Sequence, residues 1–352
     1  MTSLSFSSPP SRILIIKPSA IGDVVHALPV LNLIRRKWPS AKISWVVTPT
    51  CAGLIEGHPQ LDEVILFNRR RFGHGWRSPR TMFAMWRFMR ALRRRRFDLV
   101  IDLQGLLRSG WMARATAAPI RIGPSDAREF GWLFYTHRVP VSRDWHAVDR
   151  YLAMAEALGC GKEPVEFHFA TTDADRAAVA AMLPESGRFG LLLPGTNWKT
   201  KRWPVEHFAA AAASLQSRFG LKTVIAGHAA DSELAQRIPG LNLCGKTTLR
   251  QLVALLEKAD IVIANDSGPM HIAAALGRPL VTPYGPTNPD RTGPYRRMDS
   301  VLRLDIPCSP CYSRRCSHQS CLQWLSPEDV LSHAVRQMSV VAERVASGVT
   351  VH

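Results

Sequence analysis

Short apolar runs alternate with segments of helical periodicity along almost the whole chain. The runs are 12–17, 42–47, 63–67 and 98–104 in the first half, and 190–195, 221–227, 260–266 and 280–285 in the second. Apolar runs of this length, bounded by loops and alternating with helices, are typical of parallel sheets that are covered on both faces. The alternation is interrupted at about 159–188 and then starts again. The sequence therefore predicts an α/β protein with two domains.

The composition limits the class of protein further. The chain has 352 residues, which suits two domains, and its 46% of apolar residues excludes a disordered chain. Apolar runs fall short of the roughly 18–20 residues that a membrane-spanning helix needs. Residues 1–11 show no secretory signal pattern and are interpreted as a disordered tail. We therefore expect a cytoplasmic protein whose cysteines are reduced.

The positive charge is concentrated in one stretch. Lys and Arg number 45 against 28 Asp and Glu, giving a net charge of +17, and eleven arginines with no acidic residue lie within 69–96. Apolar residues recur there at helical spacing, namely Met82, Met85, Trp86, Met89 and Leu92. This helix could lie on an anionic membrane surface, or it could pack into a core with a basic outer face. Motifs of nucleic-acid recognition are missing, so nucleic acid is not an expected partner.

Three loops carry candidate functional residues. Asp23 stands where the first strand leads into a helix. It is either a helix cap or a carboxylate that takes a proton from a substrate hydroxyl. His26 is either a core residue or a substrate contact. Residues 195–204 combine Thr196, Asn197, Lys199, Lys201 and Arg202 at a helix start, which suits a phosphate. Residues 265–271 place Asp266, Ser267 and Gly268 before a helix with Pro269 at its first position, where N–H groups can hold a diphosphate. His271 is a phosphate donor or a capping or core histidine.

Four cysteines cluster near the end of the second half. Cys308, Cys311, Cys316 and Cys321 lie within fourteen residues. Four thiols at such spacing can bind a structural zinc ion, stay free, or form a disulfide. The residues leave all three interpretations open.

At these loops the sequence resembles glycosyltransferase family 9, the lipopolysaccharide heptosyltransferases, over about 12–340. The motifs that carry the resemblance are 16–17 with 21–26, 102–106, 201–204, 265–271 and 284–287. Gln104-Gly105-Leu106, Arg108-Ser109 and Phe134-Tyr135 are more similar to the type I enzymes, which place the first heptose on Kdo of the inner core. The cysteine-rich segment is found more often in type II enzymes.

The resemblance implies a GT-B fold, in which two Rossmann-like domains face each other across a cleft. It implies an N-terminal acceptor domain over 12–165, a linker over 166–188, a C-terminal donor domain over 189–325, and a terminal helix over 326–345 that crosses back. The donor would be ADP-L-glycero-β-D-manno-heptose and the acceptor Kdo on lipid A. By position, the catalytic aspartate falls on Asp23. The donor-binding residues fall on Thr196, Asn197, Lys201, Asp266, Ser267, Gly268 and His271, where Asn197 replaces a threonine and Ser267 another. The acceptor-binding residues fall on Arg70, Arg71, Arg108 and Arg128.

These residues predict an inverting, metal-independent transfer without a required cofactor. Asp23 would take the proton of the attacking hydroxyl, while Lys201 and the helix start at Ser267 and Gly268 would stabilise the leaving diphosphate. The enzyme would be peripheral on the cytoplasmic face of the inner membrane. Two alternatives stay open: a type II or other family 9 transferase acting on a different inner-core sugar, and a non-catalytic binder of anionic lipid or nucleic acid.

Overall fold

The chain divides into two compact units, residues 1–170 and 171–352. The computed structural model describes residue 4 and residues 6–68, 78–183 and 187–346. Within this part of the chain, no helix is both long enough and apolar enough to cross a membrane. Arg70 and Arg71 lie outside the described residues.

The first unit is a parallel sheet of six strands with helices between them. Its strands are β1 (Arg12–Ile16), β2 (Lys42–Val47), β3 (Glu63–Leu66), β4 (Leu99–Asp102), β5 (Ile120–Pro124) and β6 (His137–Val139). Its longer helices are α1 (Ile21–Lys37), α2 (Pro79–Arg94), α3 (Leu107–Ala115) and α4 (Ala147–Ala157). The strand order is β3-β2-β1-β4-β5-β6, and every neighbouring pair is parallel.

The second unit repeats this arrangement. Its strands are β7 (Phe189–Leu193), β8 (Lys222–Ile225), β9 (Leu241–Asn242), β10 (Ile261–Ala264), β11 (Leu280–Tyr284) and β12 (Val301–Arg303). Its longer helices are α5 (Asp173–Met182), α6 (Val205–Phe219), α7 (Leu249–Lys258), α8 (Gly268–Ala275) and α9 (Pro327–Ala346). The order is β12-β11-β10-β7-β8-β9, so β7 and β10 occupy the places that β1 and β4 hold in the first sheet. In open sheets of this order, ligands bind beyond the carboxyl ends of those two central strands.

Helix α2 combines the two interpretations of the basic stretch. Its C-terminal half packs into the core of the first unit, where Met89 is 8% exposed and Leu92 is fully buried. Its N-terminal half leaves Met82, Phe83 and Trp86 between 51% and 61% exposed. Alternate residues of a strand point to opposite faces of the sheet, and α2 and α3 cover the face that carries Leu14 and Ile16.

The second unit includes two segments that the sequence predicts as separate parts, namely most of the expected linker and the terminal helix. The segment expected as a linker over 166–188 contains α5, which begins with Thr172 as its cap and packs against α7. Helix α9 packs against α6 and β11 within the second unit, and Ser326 caps it by accepting a hydrogen bond from the Asp329 N–H at 3.1 Å. A return of this helix to the first unit stays a prediction, as does the division at 165.

Candidate active site

Asp23 lies in the first turn of α1, directly beyond the carboxyl end of β1. The cap residue of α1 is Ala20 and not, as the sequence suggested, Asp23; Asp23 is the third helical residue, and its Oδ2 accepts a hydrogen bond from the Ala20 N–H at 3.1 Å. The Tyr151 hydroxyl donates to Oδ1 at 3.4 Å, and the Lys17 ammonium lies 3.7 Å from Oδ2. The side chain nevertheless stays 40% exposed. Asp23 is therefore a held carboxylate that a ligand can still reach.

The buried ammonium of Lys17 lies beside Asp23 and is also close enough to a second carboxylate, that of Asp102, to be affected by its charge. Lys17 is 2% exposed and its ammonium lies 4.9 Å from the centre of the Tyr151 ring. Burial lowers the pKa of Lys17, but the charges of Asp23, Tyr151 and Asp102 outweigh it and raise the pKa above the ordinary value. Burial and the charge of Asp23 raise the pKa of Tyr151 to about 12. The lysine is consequently charged and Tyr151 is a neutral donor at neutral pH.

Asp102 ends β4 and is completely buried. Its Oδ1 accepts hydrogen bonds from the N–H groups of Gln104 and Gly105, and its Oδ2 accepts one from the Tyr135 hydroxyl at 2.6 Å. Burial raises the pKa of this carboxyl group, and these donors oppose the rise. The carboxylate thereby shapes the loop that follows β4, which is the loop of the Gln104-Gly105-Leu106 motif.

The predicted acceptor residues lie beside that loop where the structure describes them. Arg108 stands in the first turn of α3 and is half-buried, while Arg128 is exposed. The Arg128 N–H donates to the Gly105 carbonyl at 2.9 Å, which ties their two loops together. His26 is 3% exposed and its ring packs edge-on against His146, so it belongs to the interior of the unit.

In the second unit, two of the predicted donor-binding residues, Thr196 and Lys201, contact Asp266. The Lys201 ammonium lies 2.6 Å from Asp266 Oδ2, and the Thr287 hydroxyl donates to the same oxygen at 2.6 Å. The Thr196 hydroxyl donates to the Asp266 carbonyl at 3.0 Å. The loops that follow β7, β10 and β11 are therefore joined through one residue. Lys201 is already paired in this structure, so an anion would have to share it with Asp266.

Helix α8 begins at Gly268, so Pro269 is its second residue and not its first, as the sequence suggested. Ser267 is the cap residue, and among the described residues its buried hydroxyl has no hydrogen-bond partner. His271 lies in the first turn and is 7% exposed. An unpaired hydroxyl beside the free N–H groups of a helix start is an arrangement that an anion can satisfy.

The three cations of the second loop have different surroundings. Arg202 donates to the Thr196 carbonyl and lies 3.7 Å from Asp231, so it stabilises the loop itself. Lys199 and Asn197 are exposed. Two cations lie close to the Trp198 ring: Lys201 is 4.8 Å and Arg314 is 4.4 Å from its centre. The sequence motifs did not predict this contact.

The cysteine cluster does not form a metal site. Among the described residues, no group of three or more histidine, cysteine, aspartate or glutamate side chains could hold a metal ion. All seven cysteines are free; Cys308 and Cys311 are exposed, whereas Cys321 is buried. The structure shows Cys308, Cys311, Cys316 and Cys321 as free thiols, not as a disulfide or a zinc site, although they lie near one another: burial and the charges of the other three thiols raise the pKa of Cys321.

Comparison with known proteins identifies relatives over most of the chain. The model of glycosyltransferase family 9 (heptosyltransferase) matches residues 85–322. Lipopolysaccharide heptosyltransferase 1 of Pseudomonas aeruginosa is 34% identical over 318 residues, which cover 88% of this chain and 88% of that protein. The structure of Escherichia coli ADP-heptose lipopolysaccharide heptosyltransferase II has a TM-score of 0.78 and 25% identity, covering 94% of this chain and 99% of that one. That of E. coli heptosyltransferase WaaC with ADP has a TM-score of 0.75 and 27% identity, covering 93% and 99%.

The relatives include lipopolysaccharide heptosyltransferases of types 1 and 2, and the type 1 relatives are the more similar in sequence. The two parallel six-stranded sheets are those of an α/β GT-B-like fold. Because the family model spans more than half of the chain and includes the loops around Lys201 and Asp266, the chain belongs to glycosyltransferase family 9, the heptosyltransferases.

Proposed function

We propose that this chain transfers heptose from ADP-L-glycero-β-D-manno-heptose to Kdo of the lipopolysaccharide inner core, with inversion, as type 1 enzymes do. The observation that carries the proposal is the state of Asp23. A carboxylate that only capped α1 would not need the ammonium of Lys17 and the hydroxyl of Tyr151 as additional partners. These contacts hold Asp23 in place while 40% of its side chain stays open to a ligand.

The proposed reaction needs one proton acceptor. Asp23 takes the proton of the Kdo hydroxyl as the oxygen of that hydroxyl bonds to the anomeric carbon of heptose. The bond between this carbon and the diphosphate breaks on the opposite face, and its electron pair leaves with ADP. The configuration at the anomeric carbon is thereby inverted. The Lys17 ammonium, 3.7 Å from Asp23 Oδ2, and the Tyr151 hydroxyl hold the Asp23 side chain in place before the hydroxyl arrives.

The donor side of the proposal rests on Lys201 and on the start of α8. Negative charge grows on the diphosphate as ADP leaves, and an ammonium and a helix start stabilise such charge. The Ser267 hydroxyl is buried and available as a donor to a phosphate oxygen. Thr196, Asn197, Gly268 and His271 complete the set assigned to the donor.

The decisive experiment is transfer of heptose to Kdo₂–lipid A, with the linkage of the product determined. The Asp23→Asn variant should lose turnover by about 10²–10⁴, the usual contribution of a general base. Asp144→Asn is the matched control, because Asp144 is an exposed carboxylate of the same unit. Near-normal turnover of folded Asp23→Asn would refute the role of this residue. A protein that only binds anionic lipid would give no product at all.

A second candidate is the type 2 reaction, in which the acceptor already carries one heptose. The TM-score of 0.78 with the type II structure is as high as the 0.75 with heptosyltransferase WaaC, so the fold does not separate them. Parallel assays with Kdo₂–lipid A and with its monoheptosylated form distinguish the two. Product from the second acceptor alone would identify a type 2 enzyme.

We also propose that transfer does not depend on a metal ion. Lys201 and the start of α8 already supply the positive charge that a metal contributes to a departing diphosphate in other transferases. Turnover should therefore be the same with EDTA and with added Mg²⁺ or Mn²⁺. A loss of turnover in EDTA that Mg²⁺ restores would contradict this.

Finally, we propose that the protein works on the cytoplasmic face of the inner membrane as a peripheral enzyme. Helix α2 supports this, since its exposed arginines accompany Met82, Phe83 and Trp86 at its surface. Phe83 and Trp86 stack on each other, and Arg90 lies 5.1 Å from the Trp86 ring centre. Basic residues next to exposed aromatic rings favour binding to anionic lipid.

A further inference from the structure

A second apolar surface lies on the first unit, away from α2 in the sequence. It consists of Leu107 and Trp111 on α3 and of Phe130 and Leu133 around the short helical turn Gly131–Phe134, and we call it the apolar rim. These side chains are 46%, 48%, 69% and 58% exposed, respectively. Nine of the thirteen exposed large apolar side chains in the described part of the chain belong to the first unit. The exposure is therefore concentrated, and concentrated exposure marks interaction surfaces.

The rim is held together by close backbone packing. A Cβ atom placed on Gly110 would lie 2.6 Å from the Gly131 carbonyl oxygen, and one on Gly131 would lie 2.8 Å from the Leu106 carbonyl. Only glycine allows α3 and the turn to approach so closely. The backbones that carry the four apolar side chains are therefore packed directly against each other.

The backbone also keeps Phe130 at the surface at some cost. Glu129 and Phe130 have φ values of 56° and 60°, in the left-handed region that residues with side chains seldom adopt. Two such residues in succession are strained, and strain of this kind persists where it serves a function. Here the strained backbone places the Phe130 ring at the surface, where it is exposed to solvent.

Position and charge indicate what covers the rim. It follows the carboxyl ends of β4 and β5, the same edge of the sheet as Asp102 and Asp23. Arginines surround it: Arg114 and Arg128 are exposed, Arg108 is half-buried, and Arg138 lies 4.3 Å from the Trp132 ring centre. Two acids lie near the rim: Asp126 is paired with Arg150 at 2.9 Å, and Glu129 is exposed, so the four arginines still outnumber the acids. Apolar rings within a positive surface complement an anionic lipid interface, with acyl chains below phosphate groups.

We propose that the apolar rim inserts into the interface of an anionic lipid bilayer and so holds the acceptor edge of the first unit against the membrane. The role of the rim in holding the acceptor edge rests on the proposed function, whereas binding of the rim to lipid can be tested without it. The partner is the lipid surface itself, and the rim acts together with the basic helix α2.

The test uses the full chain and vesicles of phosphatidylglycerol and phosphatidylethanolamine. Replacing Trp111 and Phe130 together by serine (W111S/F130S) should weaken vesicle binding, measured by flotation, by about tenfold or more, since the interface gains free energy from each buried ring. Trp324→Ser is the matched control, because Trp324 is 67% exposed on the second unit. A second variant, F130L, should keep most of the binding. Unchanged thermal unfolding and ADP binding show that the variants are folded.

The readouts separate the rim from the reaction. W111S/F130S should lose turnover on acceptor embedded in vesicles and keep it on the water-soluble, deacylated acceptor. Unchanged vesicle binding would overturn the proposal, and so would a change from dimer to monomer without loss of vesicle binding, which would assign the rim to a second copy of the chain. If the parent chain binds vesicles through the rim but transfers heptose to no acceptor, the proposed function fails and the rim stands.

Discussion

The hydrogen bond from Tyr135 to Asp102 offers the sharpest test of how the first unit is held together. The Tyr135 hydroxyl donates to Oδ2 of Asp102 at 2.6 Å, and both side chains are buried. A hydrogen bond to a charged group contributes about 1.5–3 kcal/mol. Tyr135→Phe should lower the free energy of unfolding of the first unit by that amount, which corresponds to about 3–12 °C in Tm for a unit of this size.

The same variant has a defined pH dependence. Burial raises the pKa of Asp102 above the ordinary value of 3.8. Between that value and the folded pKa, the folded unit holds a proton that the unfolded chain has released, so its stability falls as pH rises. Removing the Tyr135 hydroxyl raises the folded pKa further and extends this interval upward. The stability deficit of the variant should therefore be small at about pH 4 and increase toward neutral pH.

Urea unfolding of both proteins at about pH 4.5 and about pH 7.5 measures this difference. Hydrogen exchange of peptides from residues 99–135 assigns the change to the first unit. Tyr312→Phe serves as the control, because its side chain is 43% exposed. A deficit of equal size at both pH values, or no deficit, would refute the conclusion that Tyr135 stabilises an ionised, buried Asp102.

Two further substitutions probe the second unit. Thr287→Val removes the hydroxyl that donates to Asp266 at 2.6 Å and should reduce the free energy of unfolding by about 1.5–3 kcal/mol, whereas Thr287→Ser should retain most of it; equal losses in urea unfolding would contradict this. Gly195→Ala would place a Cβ 2.2 Å from Asp231 Oδ2, so the carboxylate must move. The free energy of unfolding should fall by about 1–3 kcal/mol. An unchanged midpoint of urea unfolding would contradict this, because it would show that the Asp231 side chain moves away without cost.

Much of the fold could be predicted because strong local patterns determine it. Helix α6 and strand β2 have the predicted bounds, and the capping box of α7 forms as expected, with Thr248 accepting from the Gln251 N–H at 3.2 Å. The short strands β5, β6, β9 and β12 were missed. Strand β5 includes Gly123 and Pro124, which the local pattern assigns to a loop.

The positions of the candidate residues could be predicted where a single strand-to-helix connection carries them, and their contacts could not be predicted where distant segments meet. Asp23 stands in the first turn of α1, and Lys201 and Asp266 stand in the connections that follow β7 and β10, all beyond the carboxyl ends of strands, as the sequence indicated. Tyr151, however, reaches Asp23 across 128 residues, and nothing in α4 distinguishes this tyrosine from a core residue. The ion pair between Lys201 and Asp266 could not be predicted for the same reason. Each residue belongs to a separate motif, and each motif alone indicates an anion site.

That pairing has a consequence for selectivity in a cell rich in small anions. Lys201 forms an ion pair with Asp266, and only 17% of its side chain is open to solvent. A lone inorganic phosphate must compete with a neighbouring carboxylate for one ammonium, and gains little by doing so. A larger nucleotide can compensate through its other contacts, so the resting pair discriminates against ions that bring nothing but charge.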